Sequence, residues 1–140
     1  MKRVVVTGLG LVTALGNDVT TCWANLIAGK SGAGAITHFD SSKFKTQFAC
    51  EVKDLDVSNL FDPKELRRYD RYIHLAVKSA EEAINNAGLH IQQEDPLRCG
   101  VIYGSGMGGV KTLDTNIGEF GAGDGTPRYS PFFIPMIITN

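Results

Sequence analysis

Val4-Val5-Val6-Thr7-Gly8-Leu9-Gly10, followed by Leu11-Val12-Thr13-Ala14-Leu15-Gly16, decides how the rest of this 140-residue chain is read. Three valines and a threonine in succession leave no polar face. Such a run suits a strand buried on both sides, within a sheet covered by helices. Gly8 and Gly10 at its end permit a close backbone approach, or a positive φ, that a Cβ opposes. A buried strand beginning at residue 3 also leaves no room for a signal peptide. The chain then turns at Gly16-Asn17 toward a helix.

Working outward, Asn17 is placed to cap a helix running to about Ala28, with Gly29 as its C′ residue. Val19, Trp23, Leu26 and Ile27 share one face of it. Residues 30 to 45 read as loop, and Gln47 to Val52 as a short strand. Asp62-Pro63-Lys64-Glu65 is a helix start: Asp62 caps, Pro63 fits the first turn, and Glu65 completes a capping box. Ile73, Ala76, Val77, Ala80, Ala83, Ile84 and Ala87 keep to one helical face, and Gly88 stops it. Asp70 is placed to cap a fresh start, so Asp62 to Ala87 reads as one helix or two. The alanines allow close packing against a sheet or another helix.

Arg98 to Tyr103 reads as a second buried strand ending in Gly104-Ser105-Gly106. Val110, Leu113, Ile117 and Phe120 have helical spacing, and residues 121 to 131 read as a Gly/Pro loop. Strands separated by helical patterns predict an α/β architecture. Pro131 to Ile138 is strongly apolar and ends without a helix-stop signal, so this end of the chain is expected to need a partner surface or a continuation.

A formal charge of −1 with 21% charged residues fits a globular protein and argues against a polyanion-binding tail. That excludes a nucleic-acid partner from the leading readings, and no apolar stretch is long enough to cross a bilayer. More than half of the sixteen glycines fall between Gly100 and Gly125, where unusual backbone geometry is expected. Cys22, Cys50 and Cys99 are odd in number and widely spaced, with no Cys-x-x-Cys pair. They predict neither a disulfide framework nor a metal site, and a reducing, cytoplasmic setting follows. His38, His74 and His90 add no ligand-like spacing. None of the cysteines has a base at fixed spacing, so each reads as a small apolar residue rather than a nucleophile.

Two other motifs bear on chemistry. Gly104-x-Gly106-x-x-Gly109 follows a strand and opens a helix, as a dinucleotide-binding turn does. Against that, a Gly/Pro loop follows where a second strand carrying an acidic residue is required. A tight structural or substrate-adjacent turn is the better reading. Lys64, Arg67, Arg68 and Arg71 form the one basic cluster, with 64, 68 and 71 on one face if the segment is helical. Glu65 and Asp70 offset part of the charge, and a solvated face is what composition alone predicts.

The landmarks, taken in order, carry more than any one motif. The opening Val-Val-Val-Thr-Gly-Leu-Gly is followed by Ala28-Gly29-Lys30-Ser31-Gly32, His38-Phe39-Asp40 and Lys64-Glu65-Leu66-Arg67-Arg68-Tyr69-Asp70. Gly104-Ser105-Gly106-Met107-Gly108-Gly109 and Ser130-Pro131-Phe132-Phe133-Ile134-Pro135 complete the series. Across its whole length the chain resembles the N-terminal portion of the β-ketoacyl-acyl carrier protein synthases, most closely the synthase II type.

The resemblance implies the thiolase-like layered α-β-α-β-α fold, with residues 1–140 as the N-terminal part of one synthase domain. It implies an acyltransferase that performs decarboxylative Claisen condensation of malonyl-acyl carrier protein with an enzyme-bound acyl group in fatty acid elongation. The nucleophilic cysteine and two catalytic histidines are then expected beyond Asn140, so no catalytic residue is assigned here and this segment alone is expected to condense nothing. Met107 is expected in the acyl pocket at a dimer interface, where many synthase II members carry isoleucine. Phe132 is expected to reach toward the partner subunit's pocket, and Phe133 to join it in substrate binding and packing. Lys64, Arg67 and Arg68 match the residues that dock an acidic acyl carrier protein. The implied protein is a cytoplasmic homodimer without metal or cofactor.

A polyketide ketosynthase or its non-condensing chain-length partner remains open, as does a nucleotide-binding module using Gly104 to Gly109. A small protein dimerising through Phe132 to Ile138 is a third class, conditional on the gene ending at Asn140.

Overall fold

The computed structural model describes residues 3–139. They form two compact units, one of residues 3–56 with 78–93 and the other of 57–77 with 94–139. The elements in order are α1 (Val19–Ile27), β1 (Gly34–Ala35), β2 (Phe48–Ala49), a 3-10 turn (Glu65–Arg67), α2 (Arg71–Ala87), two further 3-10 turns, α3 (Val110–Ala122) and α4 (Phe133–Ile137).

In the first unit, the role of the opening glycines is steric. A Cβ on Gly8 would collide with the backbone of Ala83 and Ala87, and one on Gly10 with that of Ser79 and Ala83. Ser79, Ala83 and Ala87 recur every four residues and so share one face of α2. Small side chains on the helix and none on the segment let the two backbones meet. Polar residues of α2 then fasten the same segment. Leu9 donates its N–H to Asn86 Oδ1 at 3.0 Å, and Leu11 donates to Glu82 Oε2 at 2.9 Å. The other oxygen of Glu82 accepts from Val19 N–H at 2.8 Å, which places a carboxylate at the start of α1.

The cap of α1 is Asp18, not Asn17. Asp18 Oδ1 accepts from Thr21 N–H at 2.7 Å, and the hydroxyl of Thr21 donates to Oδ2. Those bonds hold the Asp18 carboxyl below its ordinary range. Asn17 instead donates to the carbonyls of Lys53 and Asp54. Gly29 ends the helix at φ +66° as expected of a C′ glycine. Cys22 is 3% exposed and sits between Thr13 Oγ1 and the Gly16 carbonyl, bracing the tight turn between them. Cys50 and Cys99 are exposed.

Two strand expectations are corrected. Among the described residues the only ladder is β1–β2, antiparallel with Gly34 opposite Ala49 and Ala35 opposite Phe48. β1 falls within the stretch read as loop. The valine run is not in a ladder, and Val4 is 94% exposed; nor is Arg98 to Tyr103, where Ile102 is fully exposed. Valine's preference is for a pleated, covered surface, and the preference alone supplies no neighbouring strand. The apolar face of α1 is likewise open, with Trp23, Leu26 and Ile27 exposed.

In the second unit, the capping box forms as read. Asp62 Oδ1 accepts from Lys64 and Glu65 N–H at 2.7 and 2.8 Å, and Glu65 reaches back to Asp62 N–H at 2.9 Å. It starts only a 3-10 turn, however. The chain breaks at residues 68–70 and restarts as α2, so of the two readings the structure takes two helices. Gly88, in the first unit, stops α2 at φ +62°. Val57, Phe61 and Asp70 are buried, and the Phe61 ring packs edge-on to His74 at 5.1 Å and tilted against Tyr69.

Candidate functional site

Every residue singled out for binding falls in the second unit. Lys64, Arg67 and Arg68 are exposed on and beside the 3-10 turn. The expected stripe of 64, 68 and 71 on one helical face does not exist, because Arg71 begins a separate helix. The break fans the cations apart. Arg67 lines an open cleft of about 440 Å³ together with Arg71, Lys111, His74, Thr112 and Phe133. Arg68 turns toward Phe132, its Cζ 4.8 Å from the ring centroid. The structure thus pairs Arg68 with Phe132, while Arg67 and Phe133 both line the cleft.

Phe132 and Phe133 sit at the start of α4, a helix that the sequence left unassigned. Ser130 caps the entry: its hydroxyl accepts from Phe132 N–H at 3.1 Å, and its carbonyl from Phe133 N–H at 2.9 Å. Phe132 is 39% exposed. Phe133 is more covered and stacks on Tyr129 at 4.9 Å. Met107, 77% exposed, stands in the bend before α3.

That bend is a close approach of two backbones. Cβ atoms on Gly108 and Gly109 would overlap the carbonyls of Ile137 and Met136, and Gly109 N–H donates to Ile137 O at 3.0 Å. Gly108 N–H is taken by Ser105 Oγ, and Val110 N–H by Gly108 O. A phosphate at a helix N-terminus needs such amides free. Here the Gly109 amide holds α4 and those of Gly108 and Val110 are taken within the bend itself, which removes the physical basis for the nucleotide-binding reading.

Sequence reasoning missed how α3 is capped. Its N-cap, Gly109, has no side chain to offer. Asp70, 8% exposed, does the capping from a distance, accepting from Thr112 N–H at 3.2 Å and Thr112 Oγ1 at 2.6 Å. A glycine where a capping side chain is expected was the available signal. Tyr72 ties the other end of the apolar tail, donating its hydroxyl to Ile138 O at 2.6 Å; burial and the nearby Asp70 carboxylate raise its ionisation above the ordinary tyrosine value. The charged form of His74 is disfavoured. Burial, then the Arg71 charge, lower its pKa, with Asp70 opposing, and its Nε2 is enclosed without a hydrogen-bond partner. Among the described residues no His, Cys, Asp and Glu side chains gather into a metal-binding group, and no helix is long and apolar enough to cross a membrane.

The family model described as "Beta-ketoacyl synthase, N-terminal domain" matches residues 1–139. The chain is 44% identical over 139 residues to 3-oxoacyl-[acyl-carrier-protein] synthase 2 of Coxiella burnetii, covering 99% of this chain and 33% of that protein. The same enzyme of Synechocystis sp. matches equally, with 44% identity and the same coverage of each chain. The chain therefore spans about a third of the length of these relatives. Among solved structures, the ishigamide ketosynthase/chain length factor superposes with a TM-score of 0.84 at 32% identity, covering 98% of this chain and 34% of that one. A β-ketoacyl synthase from Burkholderia phymatum gives 0.74 at 29% identity, covering 97% and 34%. The backbone path is that of the thiolase-like α/β fold, even though the valine-rich segments close no ladder among the described residues. With the family matched over nearly its whole length, the chain belongs to the β-ketoacyl synthases, as part of their N-terminal domain.

Proposed function

We propose that the protein is a 3-oxoacyl-acyl carrier protein synthase of the type II class, acting in fatty acid elongation. The carrying observation is 44% identity, over essentially the whole chain, to relatives so named. A polyketide role is the weaker reading, since the ishigamide protein reaches 32%. In the proposed reaction an acyl chain moves from its carrier to a cysteine thiolate beyond Asn140. Malonyl-carrier then loses carbon dioxide, two histidines beyond Asn140 stabilise the enolate oxygen, and the nucleophile so formed attacks the acyl-enzyme.

The second unit is read as a docking wall beside an acyl pocket. Lys64, Arg67 and Arg68 are exposed, as docking of an acidic carrier protein requires, and opposite charge speeds such an encounter. A type II PKS acyl-carrier protein in complex with its ketosynthase is among the fold's solved neighbours. Met107, Phe132 and Phe133 are assigned to the pocket wall at a homodimer contact. The exposure of Met107 and Phe132 fits residues that another surface covers. The proposed setting is the cytoplasm.

The test is elongation by the intact protein. Supplied with acyl-carrier and malonyl-carrier thioesters, it should release carbon dioxide and yield a β-ketoacyl product longer by two carbons. Absence of that product, with both carriers verified as loaded, refutes the proposal.

A further inference from the structure

We infer that Arg68 is a positioning residue for Phe132, and through that ring a determinant of which acyl chains the enzyme accepts. The inference rests on the proposed synthase reading, in which Phe132 belongs to the acyl pocket. Of the three docking cations, Arg68 alone stacks on an aromatic ring among the described residues. Its guanidinium lies over the face of Phe132, the arrangement in which a cation is drawn to the ring's negative quadrupole.

Both partners are held by their backbones, so the contact is not a chance meeting of two loose side chains. Arg68 closes the 3-10 turn by donating its N–H to Glu65 O at 2.8 Å. Two residues on, buried Asp70 is fastened to α3 through Thr112. Phe132 is fixed by the Ser130 hydroxyl at its N–H, and its carbonyl accepts from Met136 N–H at 2.9 Å. The neighbouring Phe133 takes its orientation from Tyr129. Phe132 has Arg68 in the corresponding place.

The consequence is a split between two properties of one side chain. Charge serves an acidic carrier, and lysine supplies it as well as arginine. Planar stacking on a ring is specific to the guanidinium, which is also the less hydrated cation and leaves water more readily for the ring. A substitution that keeps charge and removes stacking therefore separates docking from positioning.

The experiment uses the intact protein with Arg68→Lys, Arg68→Gln, Phe132→Leu and the Arg68→Lys/Phe132→Leu double variant. Acyl transfer is measured with octanoyl and tetradecanoyl thioesters of N-acetylcysteamine, which carry no protein and no charge, and elongation with carrier-borne substrates. Arg68→Lys should change the octanoyl-to-tetradecanoyl kcat/KM ratio of the uncharged thioesters by about two- to fivefold, while raising the carrier KM less than Arg68→Gln does. Arg68→Gln should change that ratio similarly and raise the carrier KM as well. The double variant should show the ratio of Phe132→Leu alone. If wild type is active and Arg68→Lys and Arg68→Gln leave the small-thioester ratio unmoved, Arg68 only docks and the inference is overturned. If wild type processes no thioester at all, the synthase reading itself falls, and the inference with it.

Discussion

The carboxylate of Asp70 caps helix α3 by accepting from both the N–H and the hydroxyl of Thr112, at 3.2 and 2.6 Å. Asp70 follows Arg67 and Arg68 in the chain and is buried, so one side chain joins the segment that carries these exposed cations to the first turn of α3. Replacing it by alanine leaves Thr112 N–H and its hydroxyl without their acceptor. Asp70→Ala should cost about 1–3 kcal/mol of stability. Asp70→Asn, which keeps one acceptor oxygen, should cost less. Urea unfolding followed by circular dichroism gives both values, and equal stability for Asp70→Ala and wild type would deny the cap its role.

Gly8 and Gly10 should be intolerant of any side chain. A methyl on Gly10 would overlap the Ser79 carbonyl, and neither backbone has room to yield without moving α2. Gly10→Ala is expected to lower stability by about 1–3 kcal/mol, the usual cost of overpacking. Gly100→Ala, where nothing lies near the added methyl, is the matched control and should change little. Thermal unfolding midpoints of the two variants, compared side by side, decide the matter.

His74 predicts a pH dependence of definite sign. Its folded pKa lies below the ordinary imidazole value of 6.5, because burial and Arg71 disfavour the charged ring. As pH falls past that ordinary value, the unfolded chain takes up a proton that the folded one refuses. Stability is lost over the window between 6.5 and the lower folded pKa, and the contribution is flat above it. NMR titration of the His74 ring should show a midpoint below 6.5, and His74→Phe should flatten the slope of stability in mildly acidic buffer. A midpoint at or above the ordinary value would contradict this.

What was legible in the sequence is what short stretches decide for themselves. Gly29 and Gly88 end their helices at positive φ, where only glycine is at ease, and the Asp62–Glu65 capping box closes within four residues. The seam of Ser79, Ala83 and Ala87 against Gly8 and Gly10 was half legible: the small helix face was clear, its partner was not. Relations between distant segments were hidden. A run such as Val4 to Val6 announces a preference for a sheet, while the ladder depends on a neighbour that the run cannot specify. Asp70 lies 42 residues from Thr112, and its nearer candidate role was as a cap for α2. The basic cluster was visible, but its spread was not, because the helix break at residues 68–70 sends Arg67 toward the cleft and Arg68 to Phe132.

The most direct test of the account is the affinity of the intact protein for an acidic acyl carrier protein, read by fluorescence anisotropy at low and high salt. Lys64→Glu/Arg67→Glu should weaken binding by at least about tenfold at low salt, and much of wild type's advantage should vanish as salt screens the exposed charges. Affinity and salt dependence unchanged by the double reversal would contradict the claim that this surface receives the carrier.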